Sequence, residues 1–182
     1  YSSAASDVYK RQLYDYAEDA ESEEDAIEDY PVTLFLSQHG YFKKITPQSL
    51  RMSGEQKFKE DDALSMSVES SNAAELMFFT DKAQVYKTRA SDFADGKASQ
   101  LGDYLPAKLG MDEGESVMGM VLPGDYSGYM IFFFENGKAA KVELSAYKTT
   151  SNRRRLTGAY SDKSPLKALL HLKEDREIAV YS

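Results

Sequence analysis

The stretch Met130-Ile131-Phe132-Phe133-Phe134-Glu135-Asn136-Gly137-Lys138-Ala139-Ala140-Lys141-Val142-Glu143 decides how the rest of the chain is read. Its opening run of five apolar residues is the longest in the sequence. That is too short for a transmembrane helix or a secretory leader, but it suits a buried strand, central in its sheet and covered on both faces. Asn136-Gly137 then signals a two-residue hairpin, because both turn positions need positive φ and these residues tolerate it. Upstream, Met118, Met120 and Leu122 alternate with the period of two that marks a half-buried strand. The polar link Pro123-Gly124-Asp125-Tyr126-Ser127-Gly128 joins the two. The unit reads as strand, hairpin loop, buried strand, tight turn, strand, longer loop.

This unit recurs. Leu34–Ser37, Met77–Thr80, Ile131–Phe134 and Ala179–Ser182 align without gaps, their last residues spaced by 43, 54 and 48. Three residues after the first three segments stand Gly40, Ala83 and Gly137, and four further on Lys44, Lys87 and Lys141. Leu50, Phe93 and Tyr147 follow at a matching offset, and Leu64/Met66/Val68 and Leu166/Ala168/Leu170 repeat the upstream alternation. Antiparallel repeats of this length suit propeller blades better than a sandwich. The expected units are about 31–62, 63–115, 116–164 and a truncated 165–182. Both ends read as cut, so the chain reads as part of a longer ring.

Charge separates the N-terminus from this body. Residues 1–30 hold ten acids and two bases, whereas residues 31–182 hold 20 of each. Tyr1–Gln12 has no periodicity and reads as a non-native leader. Asp15–Asp29 repels itself and buries little, so 1–30 is expected to be a disordered leader and linker; the rival reading is an acidic arm that mimics DNA and folds over a basic surface. The neutral body leaves room for local basic patches. With no cysteine in the chain, disulfide scaffolds and cysteine-based zinc sites are excluded.

The segments VTLFLSQHGYFKKITPQSL, ELMFFTDKAQVYKTRASDFADGKASQLGDYLPAKLGM and MIFFFENGKAAKVELSAYKT, beginning at Val32, Glu75 and Met130, resemble the C-terminal domain of the A subunit of bacterial type IIA DNA topoisomerases, gyrase and topoisomerase IV. The resemblance spans about residues 30–182. It implies an all-β fold: a β-propeller-like β-pinwheel of four-stranded antiparallel blades that exchange strands, here about three blades and the start of a fourth. It further implies a domain that binds and bends double-stranded DNA and presents it to the cleavage core for strand passage. The catalytic tyrosine and the magnesium carboxylates of such enzymes lie outside this domain, and ATP is used by the B subunit. No catalytic, metal or ATP motif is visible here, so no catalytic, cofactor or metal residue is assigned. The partners implied are double-stranded DNA, the B subunit, plus a second copy of the A subunit in a dimer; the implied location is the cytoplasm, on the nucleoid. Gyrases carry a Q-R-R-G-G-K-G box in the first blade. Its slot here reads Ser53-Gly54-Glu55-Gln56-Lys57-Phe58-Lys59, which favours topoisomerase IV-like behaviour.

Bending DNA without reading bases needs cations at phosphate spacing on a curved support. The candidates are Lys43, Lys44, Lys57, Lys87, Arg89, Lys138, Lys141, Lys148, Arg153, Arg154 and Arg155, with Arg51 and Lys59 secondary. Three adjacent arginines have little packing use, and their guanidinium forks suit phosphate oxygens. A strand-end lysine also serves as an edge guard, and recurrence at Lys44, Lys87 and Lys141 follows from blade structure as readily as from function. Tyr41, Tyr86 and Tyr129 occupy strand positions and are read as packing residues.

Two other classes compete. An enzyme would need more than His39 and His171, which lie in different units. Asp61/Asp62 and Asp112/Glu113 read as solvated loop acids, and Gly124–Gly128 lacks the glycine spacing of a nucleophile elbow. A protein-interaction propeller that does not bind DNA is the alternative function, since the fold alone decides nothing.

Overall fold

The computed structural model describes residues 27–149 and 154–173. The strands are β1 (Pro31–Ser37), β2 (Tyr41–Ile45), β3 (Leu64–Ser71), β4 (Glu75–Thr80), β5 (Gln84–Arg89), β6 (Asp103–Tyr104), β7 (Val117–Val121), β8 (Tyr129–Phe134), β9 (Ala139–Glu143), β10 (Arg155–Thr157) and β11 (Leu166–Leu172). Two short helices, α1 (Pro47–Met52) and α2 (Leu105–Lys108), interrupt them. Neither is long and apolar enough to cross a membrane.

The strands form three antiparallel sheets, ordered β3-β1-β2-β6, β10-β5-β4-β7 and β11-β8-β9. Each is seeded by one hairpin of the repeat: β1–β2, β4–β5 or β8–β9. The alternating strand of each expected unit does not join the buried strand that follows it. β3 pairs with β1 behind it, from Pro31↔Ser71 to Ser37↔Leu64. β7 pairs back with β4, and β11 with β8. The expected hairpin loop at Glu69–Asn72 is therefore a crossing from one sheet to the next. Asn72 explains why it does not turn back: its backbone N–H donates to Tyr30 O (2.9 Å), and its side-chain amide donates to Glu28 O (2.7 Å). The same contacts tie residues 28–30, expected to be linker, onto the first sheet. Both four-stranded sheets close their outer edge with a strand from after the next hairpin, β6 on β2 and β10 on β5. The sheets thus share strands across the units read from the sequence.

All three hairpins use one turn. The third loop residue sits in the left-handed region: Gly40 (φ 89), Ala83 (φ 55) and Gly137 (φ 81). At the third hairpin, Gly137 N donates to Phe134 O and Phe134 N to Lys138 O. The loop is thus Glu135-Asn136-Gly137, with positive φ at the glycine and not at Asn136, a three-residue hairpin with a bulge rather than the expected two-residue turn.

The sheets stack face to face. Leu76 and Phe78 of β4 face the first sheet, joining Leu34, Leu36, Phe42, Phe93 and Met120. Met77 and Phe79 point the other way, onto Met130, Phe132, Phe134, Leu144 and Tyr147. β4 is the strand covered on both faces. β8, the more apolar in sequence, is central in its sheet but leaves Ile131 and Phe133 half-exposed. Phe93 wedges into the first junction against Phe42 (4.5 Å between centroids) and Phe78 (6.3 Å). Tyr147 does the same in the second, edge-on to Phe79 at 5.3 Å. Each such buried aromatic contributes roughly 1.5–3 kcal/mol, so Phe93 and Tyr147 are the plugs between sheets, whereas Leu50, at the same offset in α1, is only partly buried and joins neither core.

Candidate nucleic-acid interface

Two of the three recurrent lysines turn inward. Lys44 lies on β2 and is 3% exposed. Its Nζ donates to Asn72 Oδ1 (2.6 Å), pairs with Asp95 (3.3 Å) and lies over the Tyr30 ring. Lys87, the equivalent residue of β5, donates to Tyr147 O (3.3 Å) and Thr149 Oγ1 (3.2 Å), pairs with Glu75 (3.3 Å) and lies over the Tyr126 ring. Asp95 and Thr149 each stand two residues beyond the plug of the next sheet. The repeated lysine is therefore a bolt from one sheet to the plug segment of its neighbour. Lys141, at the third occurrence, is exposed and lies 4.1 Å from the centre of the Tyr129 ring. Lys43 is 4% exposed. Its Nζ donates to Lys57 O (3.1 Å) and Ala98 O (3.2 Å), and burial lowers its pKa. These bonds take Lys43 and Lys44 out of contact with solvent, and Lys87 is largely withdrawn too.

Arg155 is also occupied. It opens the edge strand β10, opposite Tyr86. Its guanidinium pairs with Asp112 (2.6 Å), donates to Gln84 Oε1 and covers the Tyr86 ring. Arg153 lies outside the described residues.

Lys57, Arg89, Lys138, Lys148 and Arg154 present exposed side chains. Arg89 ends β5 and Arg154 precedes β10, and they meet around Asp92. Burial works against the Asp92 carboxylate. The Arg89 backbone N–H (3.0 Å), the Thr88 hydroxyl (2.7 Å) and the charges of Arg154 and Arg89 outweigh it and hold the carboxyl below its ordinary value. Arg89 is the last residue of β5, while Arg51 in α1 and Lys148 come after β2 and β9, the second strands of the first and third hairpins. Lys138 stands at the opposite, turn end.

The sequence reading missed Tyr104. It lies in a two-residue strand between Gly102 and α2, with too little pattern to find, and is 46% exposed. It pairs with Tyr41, which is half-exposed rather than packed away, their ring centroids 5.0 Å apart. Tyr86, by contrast, is core as expected: its hydroxyl donates to Glu115 Oε1 (2.7 Å). No group of three His, Asp or Glu residues able to hold a metal ion occurs among the described residues.

The fold defines an all-β blade-repeat domain of the β-pinwheel kind. No protein-family model matches the chain. Its sequence is similar to the DNA gyrase A subunit of Mycoplasma pneumoniae, 30% identical over 143 residues, 74% of this chain and 17% of that one. It is equally similar to the DNA topoisomerase 4 A subunit of Staphylococcus epidermidis, 30% identical over 155 residues, 82% and 19% respectively. Among solved structures, the C-terminal domain of DNA topoisomerase IV superposes with a TM-score of 0.71 at 22% identity, covering 81% of this chain and 47% of that one. The E. coli ParC C-terminal domain follows at 0.60, 16% identity, 79% and 57%. The chain is homologous to the A subunits of DNA gyrase and topoisomerase IV, with the fold of their C-terminal domains. It spans about a fifth of the length of those curated relatives.

Proposed function

We propose that this domain binds and bends duplex DNA within a type II topoisomerase A subunit, presenting it to a cleavage core for strand passage. The observation that carries the reading is the pair of exposed cations Arg89 and Arg154 converging at Asp92, with the exposed Arg51 and Lys148 following the second strands of the neighbouring hairpins. Sheets bolted to one another supply the rigid support that bending requires. On this reading the whole protein works as a dimer with an ATP-hydrolysing B subunit, using a divalent metal, in the cytoplasm on the nucleoid.

Topoisomerase IV-like behaviour is favoured over gyrase-like wrapping. The slot of the gyrase box is folded onto the first sheet, with Phe58 under the Lys43 ammonium at 5.2 Å and Lys57 N donating to Ala98 O. The Glu55 in that slot adds an acid where wrapping needs a base.

The test is retardation of duplex DNA by the full chain across a salt series. Binding through four or five phosphates gives log K against log salt a slope of about −4, since each neutralised phosphate contributes about −0.9. No shift at any salt favours a protein-interaction module. Strong ATP-dependent negative supercoiling by the full-length protein with its B partner overturns the topoisomerase IV preference.

A further inference from the structure

We infer that the cleft where the first and second sheets meet takes an unstacked base of a single DNA strand, with its phosphate at the cleft mouth. The inference deepens the nucleic-acid reading above, but its site lies at the hairpin-turn end, away from Arg89, Lys148 and Arg154.

The cleft has a volume of about 560 Å³, within the ~300–1,000 Å³ common for ligand sites. Tyr41 and Tyr104 form one wall, their planes inclined by 34°. Lys59 lies over the Tyr41 ring at 5.2 Å. A lysine ammonium is charged at neutral pH. Gln38 and His39 border the opening. A ring platform with a cation beside it is how proteins hold single strands without reading sequence, because every base has a stackable face.

Glu115 sets the orientation. It lines the inner wall at 5% exposure, and its carboxylate accepts from the Tyr86 and Thr80 hydroxyls. That negative charge keeps a phosphate out of the interior and leaves it beside Lys59. A peptide fits less well. The backbone N–H groups around the cleft are already used: His39 to Asp62 Oδ1, Gly40 to Ser37 O, Tyr41 to Ser37 Oγ, Leu105 to Gly40 O and Ser116 to Asp81 Oδ1. An added strand would find no donors among them, whereas a base needs only a face and side-chain edges.

The experiment measures binding of the full chain to a labelled oligo(dT) octamer, with an abasic octamer, free dTMP and blunt duplex DNA of equal charge as parallel arms. The octamer is expected to bind about tenfold tighter than its abasic analogue, the stacking of one base being worth that order. Tyr104→Ala should abolish the difference, whereas Lys59→Ala, which removes the cation beside the phosphate, should weaken octamer and abasic strand alike. Tyr104→Phe should retain the difference, and unchanged melting of all three variants secures the comparison. Duplex binding should be unaffected by Tyr104→Ala. Equal binding of octamer and abasic strand, insensitivity to Tyr104→Ala, or displacement of the octamer by an acidic tyrosine peptide in preference to dTMP overturns the inference. If duplex binds while the octamer shows no base preference, the inference alone fails. If the octamer binds through Tyr104 while duplex does not, the duplex reading fails and the cleft stands.

Discussion

The two sheet junctions solve one packing problem with different chemistry. At the first, Phe93 is the plug and Lys44 bolts to a carboxylate, Asp95. At the second, Tyr147 is the plug, and Lys87 reaches past it to a carbonyl and a hydroxyl while pairing within its own sheet with Glu75. The second junction is rich in phenols. Tyr126 donates to Glu75, Tyr147 to Ala159 O and Tyr160 to Thr80 O. What is held constant between them is the lysine and the plug. Recurrence in this repeat therefore marks how units join each other, while contacts to the outside are free to vary from unit to unit.

Raising the pH should break the second junction hardest. Burial raises the pKa of Tyr126, Tyr147 and Tyr160, and for Tyr126 the nearby Glu75 adds to it. Burial, then Tyr86's bond to Glu115, does the same in the first core, and burial followed by Asp95 pushes Tyr30 up to about 12. An unfolded tyrosine ionises near ~10. Stability from these groups is complete below that pH and is lost as the pH rises through about 12 and beyond. Absorbance at ~295 nm and sheet circular dichroism should change together above pH ~12 for the buried tyrosines. Ionisation of every tyrosine near ~10 with the sheet signal intact contradicts this.

The bolts come next. Lys44→Met leaves the Asn72 amide oxygen and Asp95 without their cation, and should cost about 2–3 kcal/mol in urea unfolding. The full buried-pair cost is not reached because Asp95 remains 44% exposed. Lys87→Met should cost about 1–2 kcal/mol, since its interjunction partners are neutral. Neither should alter the salt slope of DNA binding. A reversed order of costs, or a change of slope, removes the bolt assignment.

The turns offer a finer comparison. Gly137 and Ala83 hold the same left-handed position, and a Cβ at Gly137 meets nothing within 4 Å. Gly137→Ala should cost about 1 kcal/mol from backbone strain alone. Ala83→Gly should stay within about 0.5 kcal/mol, as relief of strain is offset by the lost buried methyl and the freer unfolded chain.

The repeat, the all-β class and the positions of hairpin, plug and lysine were legible because each is a local pattern: period two, a turn residue, a fixed offset. Strand exchange was implied by the family resemblance but by no local pattern. Whether Leu64–Val68 pairs forward or backward depends on Asn72 capturing the chain at Tyr30 and Glu28, which no periodicity records. Lys44 and Lys87 misled for a related reason, since a strand lysine carries no sign in its own sequence of the carboxylate or carbonyl that another sheet brings to it. β4 and β8 show the same limit in the core. The less apolar strand is buried on both faces because it has a sheet on each side.

The smallest effect separates two adjacent arginines. Arg155 is spent on Asp112, Gln84 and the Tyr86 ring, which latches β10 along β5. Arg154 lends its carbonyl to that strand pairing, accepting from Lys87 N at 2.6 Å, but its side chain is exposed beside Arg89. Arg155→Ala should loosen β10, seen as faster amide exchange at Lys87, with little direct change in the salt slope of duplex binding. Arg154→Ala keeps the carbonyl and hence the protected amide, but removes one phosphate contact and should make the slope shallower by about one. Loss of slope with Arg155→Ala and none with Arg154→Ala would move the DNA contact onto the latch, and with it the boundary between what joins the sheets and what meets the duplex.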